Sequence, residues 1–183
     1  MKEQYDHITS LVKRVQGDDK NAFKEIFQLF SKALLNTAYR IVKDKDLAHD
    51  VLQESFIKAY TNIKNLKNVE TFPYWIKRIT INQALSYFDQ FDSVEDLNGI
   101  EVSLENDADE KWYLSLPFAE IEKAILHLPQ KCRVIFSLYA IEGLRHSEIA
   151  AYLNVSVSTS KSQYAYGLKL LKHELLKRKP HEI

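Results

Sequence analysis

The chain has 183 residues, 45% hydrophobic and 27% charged, with 25 Lys+Arg balancing 25 Asp+Glu. That length allows one domain or two small ones, and the apolar content excludes wholesale disorder. Cys132 is the lone cysteine, excluding disulfide scaffolds and Cys-based zinc modules, and with only four Gly and four Pro the composition points to an all-α protein.

A short helix is expected before Gly17. From Ala22 to Ile41 the residues Phe23, Ile26, Phe27, Phe30, Leu34, Ala38 and Ile41 recur every three or four positions, which predicts a helix with one buried face. After the polar break Lys43-Asp44-Lys45-Asp46, a second helix runs to about Ile63 and buries Ala48, Leu52, Phe56 and Ala59. A polar loop, Asn65 to Thr71, leads into a third helix near Phe72. Pro73 suits its first turn, where a missing N–H costs nothing, and Trp75 is expected in the core. Residues 1–90 therefore read as one small helical domain. Over 91–117 periodicity fades and acids accumulate, as in a solvated tether. Residues 118–183 read as a second domain, with helices over Phe118–His127, Gln130–Ile141, His146–Leu153 and from Val157 towards Lys177. Gly143 suits the end of the second of these. Tyr164, Leu168, Leu171 and Leu175 form the inner stripe of the last.

Net neutrality conceals a pattern. Residues 1–88 carry 14 bases and 10 acids, 89–122 carry Lys111 against eleven acids, and 123–183 carry 10 bases and 4 acids. Fields act locally, over a Debye length of ~8 Å, so the two outer segments remain candidates for polyanion binding. The acidic stretch reads first as a solubilising spacer. A sharper reading has Asp107, Asp109 and Glu110 lying on basic surfaces of their own chain to suppress stray DNA binding.

Glu148 to Ser156 reads as the first helix and corner of a helix-turn-helix. Ala150 is small where two helices cross, Asn154 tolerates a left-handed corner, Val155 plugs the gap and Ser156 caps the next helix. The following helix exposes Ser158, Thr159, Lys161, Ser162, Tyr166 and Lys169 near one face, a set suited to phosphate contact and major-groove entry. Taken alone, the segment is also compatible with a small bundle that binds no DNA.

Three ordered segments carry a resemblance. Ala48-His49-Asp50-Val51-Leu52-Gln53-Glu54-Ser55-Phe56-Ile57-Lys58-Ala59-Tyr60, then Phe72-Pro73-Tyr74-Trp75-Ile76-Lys77-Arg78-Ile79-Thr80-Ile81-Asn82, then Leu128 to Phe136 with Glu142-Gly143 and Glu148-Ile149-Ala150, resemble regions two and four of the extracytoplasmic-function (ECF) group of bacterial RNA polymerase sigma factors. The resemblance implies a cytoplasmic, non-enzymatic initiation subunit that brings core polymerase to promoters and helps open them. It implies that Asp50, Gln53, Glu54 and Ile57 meet the clamp helices of the polymerase β′ subunit, with the β flap and an anti-sigma factor as further partners. Asp50, Gln53 and Glu54 fall at i, i+3 and i+4, and so share one helix face. The resemblance further implies minus-ten DNA contacts by Asn65, Lys67, Asn68, Lys77, Arg78, Asn82 and Ser86. Minus-thirty-five contacts fall to Arg145, Ser158, Thr159, Lys161, Ser162, Gln163 and Tyr166.

The chain departs from the family where Ser86 to Asp92 brings acids in place of a basic run. Gln163 and Tyr166 also stand where arginines are common. Fewer phosphate contacts mean weak DNA binding by the free protein, although Gln163 could still read adenine bidentately. A sigma-like regulator that binds polymerase or an anti-sigma partner, with weak or lost promoter recognition, is the alternative.

No phosphate-cradling glycine loop, paired metal-ligand histidines or catalytic constellation is present in the sequence. No cofactor, metal, small-molecule substrate or membrane insertion is expected. A helical-bundle metalloenzyme would need a Glu-x-x-His spacing that is missing.

Overall fold

Carboxylates open the two long helices of the first unit. Asp19 Oδ1 accepts from the N–H groups of Asn21 at 2.9 Å and Ala22 at 3.2 Å, starting α2 (Lys20–Val42). The Ala22 bond, then that from Arg14, holds the Asp19 carboxyl below its usual range. Asp44 Oδ1 accepts from Leu47 N–H at 2.9 Å and starts α3 (Lys45–Asn62). Between them Lys43 adopts φ 58° and returns its N–H to Tyr39, closing α2 with a left-handed cap. The helix α1 (Lys2–Gln16) precedes this pair, and α4 (Phe72–Ser86) follows it with Pro73 in its first turn.

The computed structural model describes residues 2–87 and 112–177, and the chain divides into two compact units, Met1–Phe88 and Asp89–Ile183. Regular structure among the described residues is helical throughout, and none of these helices is long and apolar enough to cross a membrane. The acidic stretch as far as Lys111, with Asp89, Asp107, Asp109 and Glu110, lies outside the described residues.

In the first unit, Leu11, Val12 and Val15 of α1 join Ala22, Ile26 and Leu34 of α2, Leu52, Phe56 and Ala59 of α3, and Phe72 and Ile76 of α4 in one apolar core. Each large side chain so buried contributes ~1.5–3 kcal/mol. Phe30 meets Phe72 edge-on, with centroids 5.6 Å apart, and Phe23 meets Phe56 at 6.0 Å. Two short 3-10 turns, Ile63–Asn65 and Val69–Thr71, join α3 to α4. Gln16 at the end of α1 donates through Nε2 to the carbonyls of Ile63 at 2.9 Å and Leu66 at 3.0 Å, pinning this connection.

The second unit contains α5 (Phe118–Ile125), α6 (Gln130–Phe136), α7 (His146–Leu153) and α8 (Val157–Lys177). The helix expected over Gln130–Ile141 is α-helical only to Phe136; Ser137–Ile141 widens into a π turn before Gly143 at φ 77°. Residues 112–117, read as tether from the sequence, contain a 3-10 turn, Trp112–Ser115. Tyr113 there is 5% exposed and packs on Phe136 at 5.4 Å, with its hydroxyl 3.4 Å from that of Tyr164. A single inward aromatic in an acidic neighbourhood leaves no periodic signal, which is why the sequence hides it.

Candidate functional site

On α3 the inward positions are Ala48, Val51, Leu52, Ser55, Phe56 and Ala59. That leaves Asp50 and Gln53 exposed, with Ile57 beside them at 66% exposure. Glu54, expected on the same open face, is half-buried at its edge. Its Oε1 accepts from the Tyr87 hydroxyl at 2.8 Å, and its Oε2 accepts from the side-chain amide of Gln83 on α4. The Glu54 hydrogen bond, then burial, pushes the Tyr87 phenol above its ordinary value, because the phenolate would face a carboxylate. The arrangement is an uncovered apolar side chain flanked by hydrogen-bond acceptors, the make-up of a protein-docking patch.

The connection between α3 and α4 forms one side of a groove of about 380 Å³ lined by Lys58, Asn62, Asn65, Leu66, Lys67, Trp75 and Ile79. That volume falls within the ~300–1,000 Å³ range of small-ligand sites. The groove offers an aromatic wall, two carboxamides and two ammonium groups. This chemistry suits an unstacked base and its phosphates, with stacking contributing ~1–3 kcal/mol per base.

Of the three loop residues expected at the minus-ten element, Asn65 and Lys67 line the groove. Asn68 instead uses its Oδ1 to accept from Glu70 N–H at 3.1 Å, capping the second 3-10 turn. Trp75 is half-buried and tilted against Phe72 at 5.8 Å, so it serves core and groove together. Lys58 and Asn62 escaped the sequence reading. Both lie on α3 one and two turns beyond Glu54, and their spacing from Glu54 was the available signal.

Along α4, Asn82 and Ser86 are exposed while Lys77 and Arg78 are half-buried, with the Arg78 guanidinium 5.3 Å from the centre of the Tyr74 ring. Of the four α4 residues expected at the minus-ten element, only Asn82 and Ser86 are thus fully open to solvent, and the Ser86 hydroxyl donates to the Gln83 carbonyl at 2.8 Å.

In the second unit, α7 opens with the Arg145 N–H donating to Glu148 Oε2 at 3.0 Å and ends at Asn154, φ 51°. The Val155 N–H returns to the Ala150 carbonyl at 3.1 Å, so the corner is a tight left-handed turn. Ser156 Oγ accepts from Thr159 N–H at 2.9 Å and starts α8. His146 ties the two helices, with Nδ1 2.9 Å from Ser160 Oγ and its ring stacked on Tyr139 at 4.1 Å.

Arg145, Ser158, Thr159, Lys161 and Ser162 are exposed and Tyr166 is half-buried. Gln163 corrects the sequence reading. It is 9% exposed, and its Oε1 accepts from the Cys132 thiol at 3.2 Å, so it faces α6 and cannot read a base edge. The reason is periodicity: Ser160, Gln163, Gly167 and Leu171 are spaced three or four apart and all are buried. Gly167 brings its backbone against α6, where a Cβ would lie 3.4 Å from that of Cys132.

Known proteins agree with this architecture. The family described as Sigma-70 region 2 matches residues 26–91, and Sigma-70 region 4 matches residues 118–171. The chain is 29% identical over 182 residues to the ECF RNA polymerase sigma factor SigW of Bacillus subtilis, covering 92% of this chain and 96% of that protein. It is 30% identical over 167 residues to the ECF RNA polymerase sigma-E factor of Escherichia coli, covering 84% and 86%. Among solved structures, CnrH in complex with the cytosolic domain of CnrY has the same fold, with a TM-score of 0.54 at 19% identity over 94% of this chain and 99% of that one. The sigma factor RpoE of Bartonella quintana, in complex with the anti-sigma factor NepR, matches with a TM-score of 0.52 at 24% identity over 86% and 98%.

Proposed function

The chain belongs to the ECF group of RNA polymerase sigma factors, non-enzymatic initiation subunits that direct core polymerase to promoters and assist DNA melting, and we propose the surfaces through which it does so. The first unit meets the β′ clamp helices through Asp50, Gln53 and Ile57, with Glu54 at the edge of the contact. The observation that carries this is the exposed Ile57 between acceptor side chains on a helix whose opposite face is fully committed to the core.

Minus-ten DNA runs along Lys77, Arg78, Asn82 and Ser86, with a flipped base entering the groove beside Asn65 and Lys67 while Asn68 holds the loop in shape. The second unit meets the β flap and places α8 in the major groove at the minus-thirty-five element. Arg145, Ser158, Thr159, Lys161, Ser162 and Tyr166 face the DNA there, without Gln163. The tether that begins at residue 91 joins a domain spanning 1–90 to a second domain that already includes Tyr113, which packs on Phe136. An anti-sigma factor covers these surfaces in the resting cytoplasm, a reading supported by the NepR complex of the Bartonella relative.

The test is affinity for core polymerase. Asp50→Lys combined with Gln53→Ala leaves folding intact, because both side chains are exposed, and is expected to weaken assembly at least tenfold. Unchanged assembly would remove the clamp from this face.

A further inference from the structure

Glu54 and Lys58 stand four residues apart on α3, the spacing at which carboxylate and ammonium pair directly across one turn. Among the described residues no ion pair joins them. The Gln83 carboxamide stands between, 8% exposed, reaching across from α4. Its Oε1 accepts from the Lys58 ammonium and its Nε2 donates to Glu54 Oε2. A carboxylate offers acceptors alone and an ammonium donors alone, so an amide bridges both, in a single orientation. Glu54 is fixed from its other side by Tyr87. The chain Tyr87, Glu54, Gln83, Lys58 thus runs from the edge of the docking face to the wall of the groove, which Lys58 lines.

We propose that Gln83 is a positioning residue for strand capture: it keeps the Lys58 ammonium apart from Glu54 and presents it to the DNA strand entering the groove. The inference rests on the reading of that groove as the strand site. Without the amide, Glu54 and Lys58 close into their own pair, and the ammonium's charge is spent within the helix instead of on a phosphate. An apolar replacement of the same length keeps the packing between α3 and α4 and removes only the bridge.

The experiment uses holoenzyme reconstituted from core polymerase and the full chain. The probe is a labelled single strand selected from a random pool by the wild-type holoenzyme, with its affinity measured across a range of salt. Gln83→Met is expected to weaken binding about fivefold to tenfold and to make the slope of log affinity against log salt shallower by ~0.7, one phosphate contact on a single strand. Lys58→Met is expected to do the same, and the double variant to be no weaker than Lys58→Met. Gln83→Asn keeps a buried amide that is one methylene too short to span both partners, and is expected to give the shallower slope as well. A lower melting temperature with an unchanged slope, or losses that multiply in the double variant, would make Gln83 a structural spacer and overturn the proposal. Lys67→Met reports on the groove itself. If both lysine variants flatten the slope and Gln83→Met does not, the positioning role alone fails; if neither lysine variant does, the groove reading fails with it.

Discussion

The Gln16 carboxamide donates to the Ile63 carbonyl at 2.9 Å across 47 residues of sequence, and to Leu66 at 3.0 Å, so the end of α1 splints the loop that shapes the groove. Gln16→Leu leaves both carbonyls in a part-buried site without that donor. The expected cost is ~1–3 kcal/mol, read as a lower urea midpoint with unchanged slope, together with faster amide exchange at the loop. An unchanged midpoint would mean that water replaces Gln16 at no cost.

Gln163 and Lys161 set packing against the proposed DNA contact on one helix. Gln163→Ala is expected to lower stability by ~1–3 kcal/mol, since it strips the Cys132 thiol of its acceptor and opens space beside α6, while leaving promoter preference unaltered. Lys161→Ala is expected to do the reverse, with stability within ~0.5 kcal/mol and the salt slope for double-stranded promoter DNA shallower by ~0.9. Denaturation and filter binding of the two variants check both halves. A changed base preference in Gln163→Ala would contradict its inward placement.

Cys132 is 1% exposed, and burial pushes its thiol from an ordinary 9.0 up to about 11. The folded protein therefore holds the proton through a range where the unfolded chain has lost it. Stability from this group is complete below pH ~9 and is lost as pH rises towards 11, because the unfolded state binds fewer protons there. Denaturant midpoints across pH 8–11 should fall more steeply in the wild type than in Cys132→Ala. Iodoacetamide should label the native thiol slowly below pH 9 and the unfolded one quickly. Rapid native labelling at pH 8 would show an open site.

The helix-turn-helix corner depends on the left-handed backbone of Asn154, φ 51°. Asn154→Gly should be nearly neutral, while Asn154→Val should cost ~1–2 kcal/mol because a β-branched side chain resists that conformation. Thermal melts decide it; equal melting of the two variants would mean the corner relaxes to another conformation.

Helix positions were legible because the first unit buries a regular stripe per helix, so Ile26, Leu34, Leu52 and Phe56 announce their own faces, although Phe27, expected on the same stripe, is 41% exposed. Asn154 and Ser156 were legible because a left-handed corner and an N-cap each accept few residue types. What stayed hidden is polar and long-range. Gln16, Gln83 and Gln163 are ordinary surface residues by composition, and nothing local to them specifies a carbonyl, a lysine or a thiol brought up by another helix. Gln163 shows the limit most clearly: its position lies on the buried stripe of α8, but its amide character suggested base reading.

Under the proposed function, this chain confers promoter selectivity on polymerase through two helical units with separate surfaces. Transcription by purified core polymerase on a genomic template library, with permanganate footprinting of the start regions, tests it most directly. Discrete transcripts and a melted minus-ten region are expected only when the chain is added, both lost in the chain carrying Asp50→Lys and Gln53→Ala. Assembly with core polymerase that yields neither selective transcripts nor melting would contradict it.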